Sequence, residues 1–538
     1  MSGRDKPPVV AVFLVVFDQK VGYTIAWSRS LDDVDLDGVE FKSLPSGLHA
    51  VKEDLVFFLH GAHAGVSAFV QEEADARHRN ASFVAVGALV PSGYGQLGRS
   101  WTHAEELRSM GKDAVKNTAH MDALEAFWET HRADNSAGSL PAPLLANRDN
   151  GGSEHQARRK RAASETTMGL HTDGAWPSDH PALQVPAMLE TFGPLLFPLH
   201  RAALSRSRIL LLGSPSVQNN TNLVYMASVL SSITKELAES LPTEAEPIFR
   251  SSPLFSIGIH DIPDLTKRSG DNGGWIATTT DGILGDKKNL YDLLVRLPPQ
   301  AASSWSWPEL RTATGRVVKA SQRDLQRWNL LRREMGRLRR QAVTAFVDES
   351  PTTNENDRRP LLERRNTSRD DVNDVEFLDR DSTDVVEPPT WSAMAYRGFM
   401  WWASAGDVTA WENDDAKADE ELLFDMPDIG GILAEESGLR GESEYARAAA
   451  TLLVAYFRNV TESILRPMAS IVEAADDDTE EGVEENEIPF GSNDLRAMGL
   501  DSWSEPDRLF VKDMLQTWFH RDAVIVDNGV RVCGMRVF

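Results

Sequence analysis

An unbroken apolar run, Val9–Phe17, sits close to the start of the chain and limits what the chain can fold into. A strand with one wet face alternates apolar and polar residues. A continuous run of strand length has to be covered on both faces. The chain therefore needs a layered fold with an interior strand near its start. The run is too short to span a bilayer, which takes about 20 apolar residues, and no other run in the chain approaches that length. Further strand-like segments follow at Gly22–Ser28, Val39–Ser43, Leu55–Leu59, Gly65–Val70 and Phe83–Val90, separated by turns rich in Gly, Asp and Pro. Their spacing predicts an antiparallel meander. Residues 102–131 change to a helical pattern with Leu107, Met110, Met121, Leu124 and Phe127 as core positions. Strands followed by helices predict an α+β sheet-and-helix module over residues 8–133.

Residues 134–165 have linker composition and carry the basic cluster Arg158–Arg161, read as a solvated charge run. Residues 166–345 alternate strand and helix. A helix is predicted over Pro181–Leu204, interrupted near Pro186 and Pro194, and strands over Arg208–Leu212, Leu254–Gly258 and Gly274–Thr279. A second helix falls at Asn222–Leu237, and Asn289–Leu297 reads as either a short strand or a helix. This pattern predicts an α/β core with a mainly parallel sheet. Residues 316–342 form an amphipathic helix with Leu325, Trp328, Leu331, Met335 and Leu338 on its apolar stripe. Residues 346–389 read as an acidic disordered linker. Residues 390–538 are predicted helical: Trp391–Ala405, Gly441–Arg466 ended by Pro467, and Pro506–Phe519, with an acidic loop at 473–487. Asn528-Gly529 marks a terminal hairpin.

Across its 538 residues the chain has a formal charge of -25, unevenly placed. Residues 348–388 hold 13 acids against 6 bases, 412–421 hold 6 against 1, and 473–487 hold 9 against none. The acidity thus belongs to linkers and loops, and it weighs against nucleic acid as a partner. Cys533 is the single cysteine, so no internal disulfide and no cysteine-based zinc site can form, which fits a reducing compartment. Met1–Pro8 lacks the pattern of a signal peptide, so the expected location is cytoplasmic.

No catalytic constellation is visible. The turn Gly213–Thr221 follows a strand and precedes a helix but lacks the second glycine and the lysine of a phosphate loop, and Pro215 removes a donor. It reads as a βα turn with helix-capping Ser and Asn. No Gly-x-Gly-x-x-Gly or Gly-x-Ser-x-Gly motif occurs. His49, His60 and His63 read as surface histidines, His260-Asp261 as a strand-end turn, and Asp476-Asp477-Asp478 as a solvated acidic loop without calcium-site spacing. The sequence predicts no metal and no cofactor. The basic helix at 316–342 could lie on an anionic membrane, but its stripe reads first as a core-packing face. Ser164, Thr367 and Ser368 each follow arginines within linkers and are candidate phosphorylation sites.

The segment Gly38–Gly47 and its surroundings carry a resemblance. Val9-Val10-Ala11-Val12-Phe13, Asp35-Leu36-Asp37-Gly38-Val39-Glu40-Phe41-Lys42-Ser43, Ser46-Gly47 and Asp54-Leu55-Val56-Phe57-Phe58 resemble the DENN-domain family, most closely its LCHN-like branch. Looser blocks follow in order at Arg208–Gly213, Ile257–Asp261 and Trp275–Asp281. The resemblance implies a longin-like N-terminal module, an α/β DENN core and a helical C-terminal part. It also implies guanine nucleotide exchange on Rab-type small GTPases in membrane trafficking. The alternative it allows is a non-catalytic scaffold that binds a GTPase or a membrane. Exchange needs no acid or base, only a surface that distorts the phosphate and magnesium site. In open α/β sheets ligands favour strand C-termini. The expected GTPase-facing residues are therefore Asp35, Glu40, Phe41, Asp261 and Asp281.

Overall fold

The computed structural model describes residues 6–133, 179–347 and 384–536, apart from 19, 46, 48–50, 74–80, 93–98, 118–120, 240, 243–249, 269–273, 300–305, 392–393, 395–408, 425–441, 478–485, 527–530 and 533–534. Its strands are β1 (Ala11–Asp18), β2 (Gly22–Ser30), β3 (Glu53–His60), β4 (His63–Glu73), β5 (Ala81–Pro91), β6 (Ile209–Leu212), β7 (Ser252–Ser256), β8 (Trp275–Thr279), β9 (Leu293–Arg296), β10 (Glu309–Thr312), β11 (Val317–Val318), β12 (Glu487–Gly491), β13 (Asp522–Val526), β14 (Arg531–Val532) and β15 (Met535–Arg536). Its helices are α1 (Val39–Lys42), α2 (Ala104–Lys116), α3 (Asp122–His131), α4 (Val185–Phe192), α5 (Leu196–Leu204), α6 (Val217–Leu230), α7 (Lys235–Glu239), α8 (Ile262–Arg268), α9 (Gly282–Asp286), α10 (Gln322–Val347), α11 (Thr409–Phe424), α12 (Glu442–Asp477), α13 (Ser492–Ala497) and α14 (Glu505–Phe519). The chain forms two compact units. One comprises Met1–Gln184, Ala202–Ala238 and Pro247–Val317; the other comprises Val185–Arg201, Glu239–Glu246 and Val318–Phe538.

The first unit is built on one sheet of eleven strands in the order β11-β10-β9-β6-β8-β7-β3-β4-β5-β1-β2. β1 through β5 are antiparallel as expected, but not a simple meander: β3, β4 and β5 run in sequence, β1 pairs beside β5, and β2 lies outside β1; β6 to β9 form the expected parallel set. The two sets join where Phe58 of β3 pairs antiparallel with Phe255 of β7. β1 lies between β2 and β5, and Val9 to Val15 are all buried, as the unbroken apolar run requires. One face of this half carries a core of Phe13, Val15, Val39, Val56, Phe58, Phe69 and Val217. On the strands beneath, α2 comes so close that a Cβ on Gly111 would lie 3.0 Å from Val70 Cγ2.

Two aromatic rings lie flat over glycines on neighbouring strands. Phe13 faces Gly87 across β1 and β5, and Phe58 faces Gly65 across β3 and β4. A Cβ built on Gly87 would stand 2.2 Å from Phe13 Cζ, and one on Gly65 would stand 2.4 Å from Phe58 Cζ. The missing side chain on one strand makes room for the ring on the next.

Several local expectations change. Val39–Ser43 is a helical turn, not a strand: Gly38 takes φ 81°, Ser43 N donates to Val39 O at 3.0 Å, and Val39 is buried in the core. The left-handed glycine turns the chain so that Val39 faces the core, and Phe41 N and Ser43 N close the helical turn on Gly38 O and Val39 O. Asn289–Leu297 resolves as the strand β9.

In the second unit α10 packs Trp328, Leu331, Met335 and Leu338 inward, and α12 contributes Leu453, Phe457, Ile464 and Met468 to the buried interior. The apolar stripe of α10 is therefore covered by protein. α12 runs through Pro467 instead of ending there. Leu465 and Met468 on either side are fully buried, and that packing outweighs the lost backbone donor. The acidic run 412–421 lies within α11, and Asp476 and Asp477 are the last residues of α12 rather than a loop.

A terminal hairpin is present but lies further along than Asn528-Gly529: it pairs Arg531 with Arg536 and Val532 with Met535. β13 instead pairs in parallel with β12, and Ile488 and Phe490 are fully buried there. No helix among the described residues is long and apolar enough to cross a membrane. Ser164, Thr367, Ser368, His49 and the 134–165 segment fall outside the described residues.

Candidate functional site

The site forms where α1 meets the loop that follows β7. Gly258, Ile259, His260 and Asp261 make one tight turn at the end of that strand, and Asp261 Oδ2 accepts from Gly258 N at 2.9 Å. The other carboxylate oxygen of Asp261 receives Lys42 Nζ at 2.8 Å. The same ammonium donates to Leu59 O at 3.2 Å, so Lys42 fastens α1 to both β3 and the β7 loop. One residue earlier, the Phe41 ring stacks on His260 with centroids 4.3 Å apart and an interplanar angle of 22°. Sequence reasoning named Phe41 and Asp261 separately. The structure places them in adjoining contacts and adds Lys42 and His260, which sequence reasoning did not select. Lys42 gave no signal in the sequence: its segment read as a strand, and no local pattern pairs it with a carboxylate over two hundred residues away.

Asp35 lies just before α1. Its Oδ1 accepts from Asp37 N at 3.0 Å, and its carbonyl bonds His60 Nε2 at 2.9 Å. Glu40 is half-buried on α1 itself. Asp281 belongs to the neighbouring loop, after β8, and caps α9 by accepting from Ile283 N at 3.0 Å. Four of the five expected residues thus gather around α1, and the fifth stands at the end of the adjacent strand. Phe41 and Ile259 are 43% and 45% exposed, two large apolar side chains left in water beside the ring stack.

His260 and Asp261 do not form an acid–base pair, because the ring is stacked and the carboxylate is held by Lys42 and Gly258. His60 and His63 face each other at the ends of β3 and β4 rather than in an open turn. Burial lowers the proton affinity of both imidazoles. No group of three or more metal-ligating side chains occurs among the described residues.

The strand–turn–helix at Leu210–Val224 holds no phosphate cradle. The N-terminus of α6 is already occupied by a carboxylate from β3: Asp54 accepts from Val217 N at 2.7 Å, Ser216 Oγ at 2.7 Å and Gln218 N at 3.2 Å. Burial pushes the Asp54 carboxyl up from its ordinary value, and these donors pull the other way. Asn220 supports the turn by donating to Ser214 O at 2.9 Å, and it packs so closely that Gly213 has no room for a Cβ. An anion is therefore supplied from within the chain where a nucleotide would put its phosphate.

This site lies within a region of known kinship. The profile of the DENN domain-containing protein 11 family matches residues 12–306. The chain belongs to the DENN domain-containing protein 11 family. It is 30% identical to DENN domain-containing protein 11 of Xenopus laevis over 288 residues, covering 53% of this chain and 59% of that protein. The Rattus norvegicus protein of the same name is also 30% identical, over 297 residues, 54% of this chain and 58% of that one. The chain thus spans somewhat over half the length of these vertebrate relatives. Similarity to the uncharacterized protein ANR2 of Saccharomyces cerevisiae is lower, 24%, but extends over 544 residues, 97% of this chain and 94% of that protein. Residues 386–489 and 480–538 match a domain of unknown function (DUF4484). Every residue of the DENN-family candidate site falls in the matched part of the first profile.

Proposed function

We propose that this DENN-family chain is a guanine nucleotide exchange factor for a Rab-type small GTPase, acting in intracellular membrane trafficking from the cytoplasm or peripherally on membranes. DENN-domain proteins are generally Rab exchange factors. The observation that carries the reading here is the convergence of Asp35, Glu40, Phe41 and Asp261 on one rigid, partly apolar surface inside the family-matched region. Such a surface suits exchange because the work is done by differential affinity. A factor that binds the nucleotide-free GTPase more tightly than the nucleotide-bound form must weaken nucleotide binding by the same factor. Asp281, on the next loop, is the natural limit of the same contact.

The test is release of fluorescent GDP from a panel of purified Rab-type GTPases by the full chain. Acceleration on at least one GTPase is expected, with charge reversal Asp281→Lys reducing it. Stable binding without acceleration on every member would replace exchange by a scaffold role.

A further inference from the structure

We infer that the Phe41–His260 face docks a protein surface in which an apolar side chain is flanked by arginine or lysine. The inference rests on and deepens the reading of this face as protein-binding, and it names the chemistry of what binds.

Phe41 and Ile259 stay 43% and 45% exposed, yet they are not loose. The stack on His260 at 4.3 Å fixes the Phe41 ring, and Lys42 at 2.8 Å from Asp261 fixes the backbone beneath it. A held apolar surface costs little ordering when something binds it. The segment that leads into α1 carries Asp32, Asp33, Asp35 and Asp37, all exposed, and α1 carries the half-buried Glu40 beside Phe41. No ion pair engages any of the five among the described residues. The nearest ammonium, Lys42, is already paired with Asp261 and bonded to Leu59 O. His60 and His63, across the hairpin from this turn, have imidazoles shifted toward the neutral form by burial, so they supply little compensating charge at neutral pH.

An apolar patch alone is indiscriminate. A run of carboxylates without ion pairs on the adjoining segment repels anionic lipid, nucleic acid and acidic protein surfaces, and it attracts cationic ones. A lone lysine-rich segment would satisfy the acidic run but leave Phe41 and Ile259 wet. A bare leucine-rich segment would cover them but strand the carboxylates. The matching occupant combines the two: an apolar residue with basic residues one helical turn or two strand positions away.

The test uses the full chain with two synthetic helical peptides as probes. One displays leucines flanked by arginines, and the other has glutamate at each arginine. An acidic-run variant carries Asp32→Asn, Asp33→Asn, Asp37→Asn and Glu40→Gln. A control variant removes the same charge from exposed positions of α2 and α3: Glu105→Gln, Asp113→Asn, Asp122→Asn and Glu129→Gln. The arginine peptide is expected to bind wild type and control alike, within about twofold, and the acidic-run variant at least about tenfold more weakly. Raising salt from about 0.05 to 0.5 M should erase most of that difference. The glutamate peptide should not bind. Equal binding to the acidic-run variant, no preference for arginine over glutamate, or no binding of the arginine peptide would each overturn the inference.

Release of GDP from the Rab-type panel, measured on the same proteins, keeps the two readings apart. An acidic run that binds the arginine peptide in a chain that releases no GDP sinks exchange and leaves this inference standing. Undiminished GDP release by the acidic-run variant does the reverse.

Discussion

At the scale of single residues, the sheet of the first unit depends on absent side chains as much as on present ones. Gly87 and Gly65 give up their Cβ so that Phe13 and Phe58 can lie across them. The sequence made β1 legible through its unbroken apolar run, but it gave no hint of which glycine a ring would cover, because cross-strand partners depend on register rather than on neighbours in sequence. Gly87→Ala forces either the Phe13 ring or the β5 backbone to move. It should destabilise the unit by about 1–3 kcal/mol. Gly87→Ala combined with Phe13→Leu should recover part of that loss, since the smaller side chain vacates the space. Urea unfolding midpoints of the single and double variants check this. A Gly87→Ala midpoint equal to wild type would show that the ring has somewhere else to go.

At the scale of elements, buried charge holds the helices of the second unit together, and this was the least legible part of the sequence. The stripe Trp328, Leu331, Met335 and Leu338 was readable from its helical spacing. Arg323 and Arg327, by contrast, fall off that stripe, where a helix residue ordinarily meets water. They are buried, and both reach Asp419 of α11, at 3.1 Å and 2.8 Å. Composition counted Asp419 as one acid in a charged run and could not pick out the one that turns inward. A second network joins Arg201 of α5 to Asp324 of α10 at 2.6 Å and to Asp507 of α14 at 3.2 Å. Asp324 takes the guanidinium through two oxygens, which leaves Asp507 the weaker share. Burial, opposed by Arg201 and reinforced by Asp324 and Asp501, pushes the Asp507 carboxyl up to about 7. Glu387, close to the same cluster, is also raised by burial.

A carboxyl raised in the folded state holds its proton more tightly there than in the unfolded chain. Folding is therefore favoured by Asp507 at the acid end of the interval between its ordinary value of 3.8 and about 7, and that contribution is lost as pH rises through about 7. Asp507→Asn keeps an acceptor for the Asp501 N–H bond and removes the titration. The melting temperature of wild type relative to Asp507→Asn should fall between pH 5.5 and 8, by a few degrees for a cost of about 1–3 kcal/mol. Parallel melting curves across that interval would remove Asp507 from the account.

At the scale of the first unit as a whole, residues 8–133 read from sequence as a module with its own meander and helices. Five of the six strands read there are present and the sixth is α1, yet the module shares its structure with residues far along the chain. Phe58 of β3 pairs with Phe255. Val217 is part of the core beneath β1 and β3. Asp54 is satisfied by Ser216, Val217 and Gln218, and Lys42 by Asp261. None of these long-range pairings leaves a periodic trace, which is why the strands were legible and their joining was not. If residues 1–133 are expressed alone, β3 becomes an open edge, Asp54 loses three of its donors, and the apolar face under Phe58 loses its cover. The fragment should keep far-ultraviolet signal of strand and helix, bind a hydrophobic dye, and unfold without a sharp transition, whereas the full chain should not bind the dye. A cooperative transition in the isolated fragment would mean that the meander carries enough core to stand as a domain, with the junction at Phe58 an accessory to it. The same measurement bears on function, because α1 can present Phe41 in a fixed orientation only while Asp261 holds Lys42 from the other side of that junction.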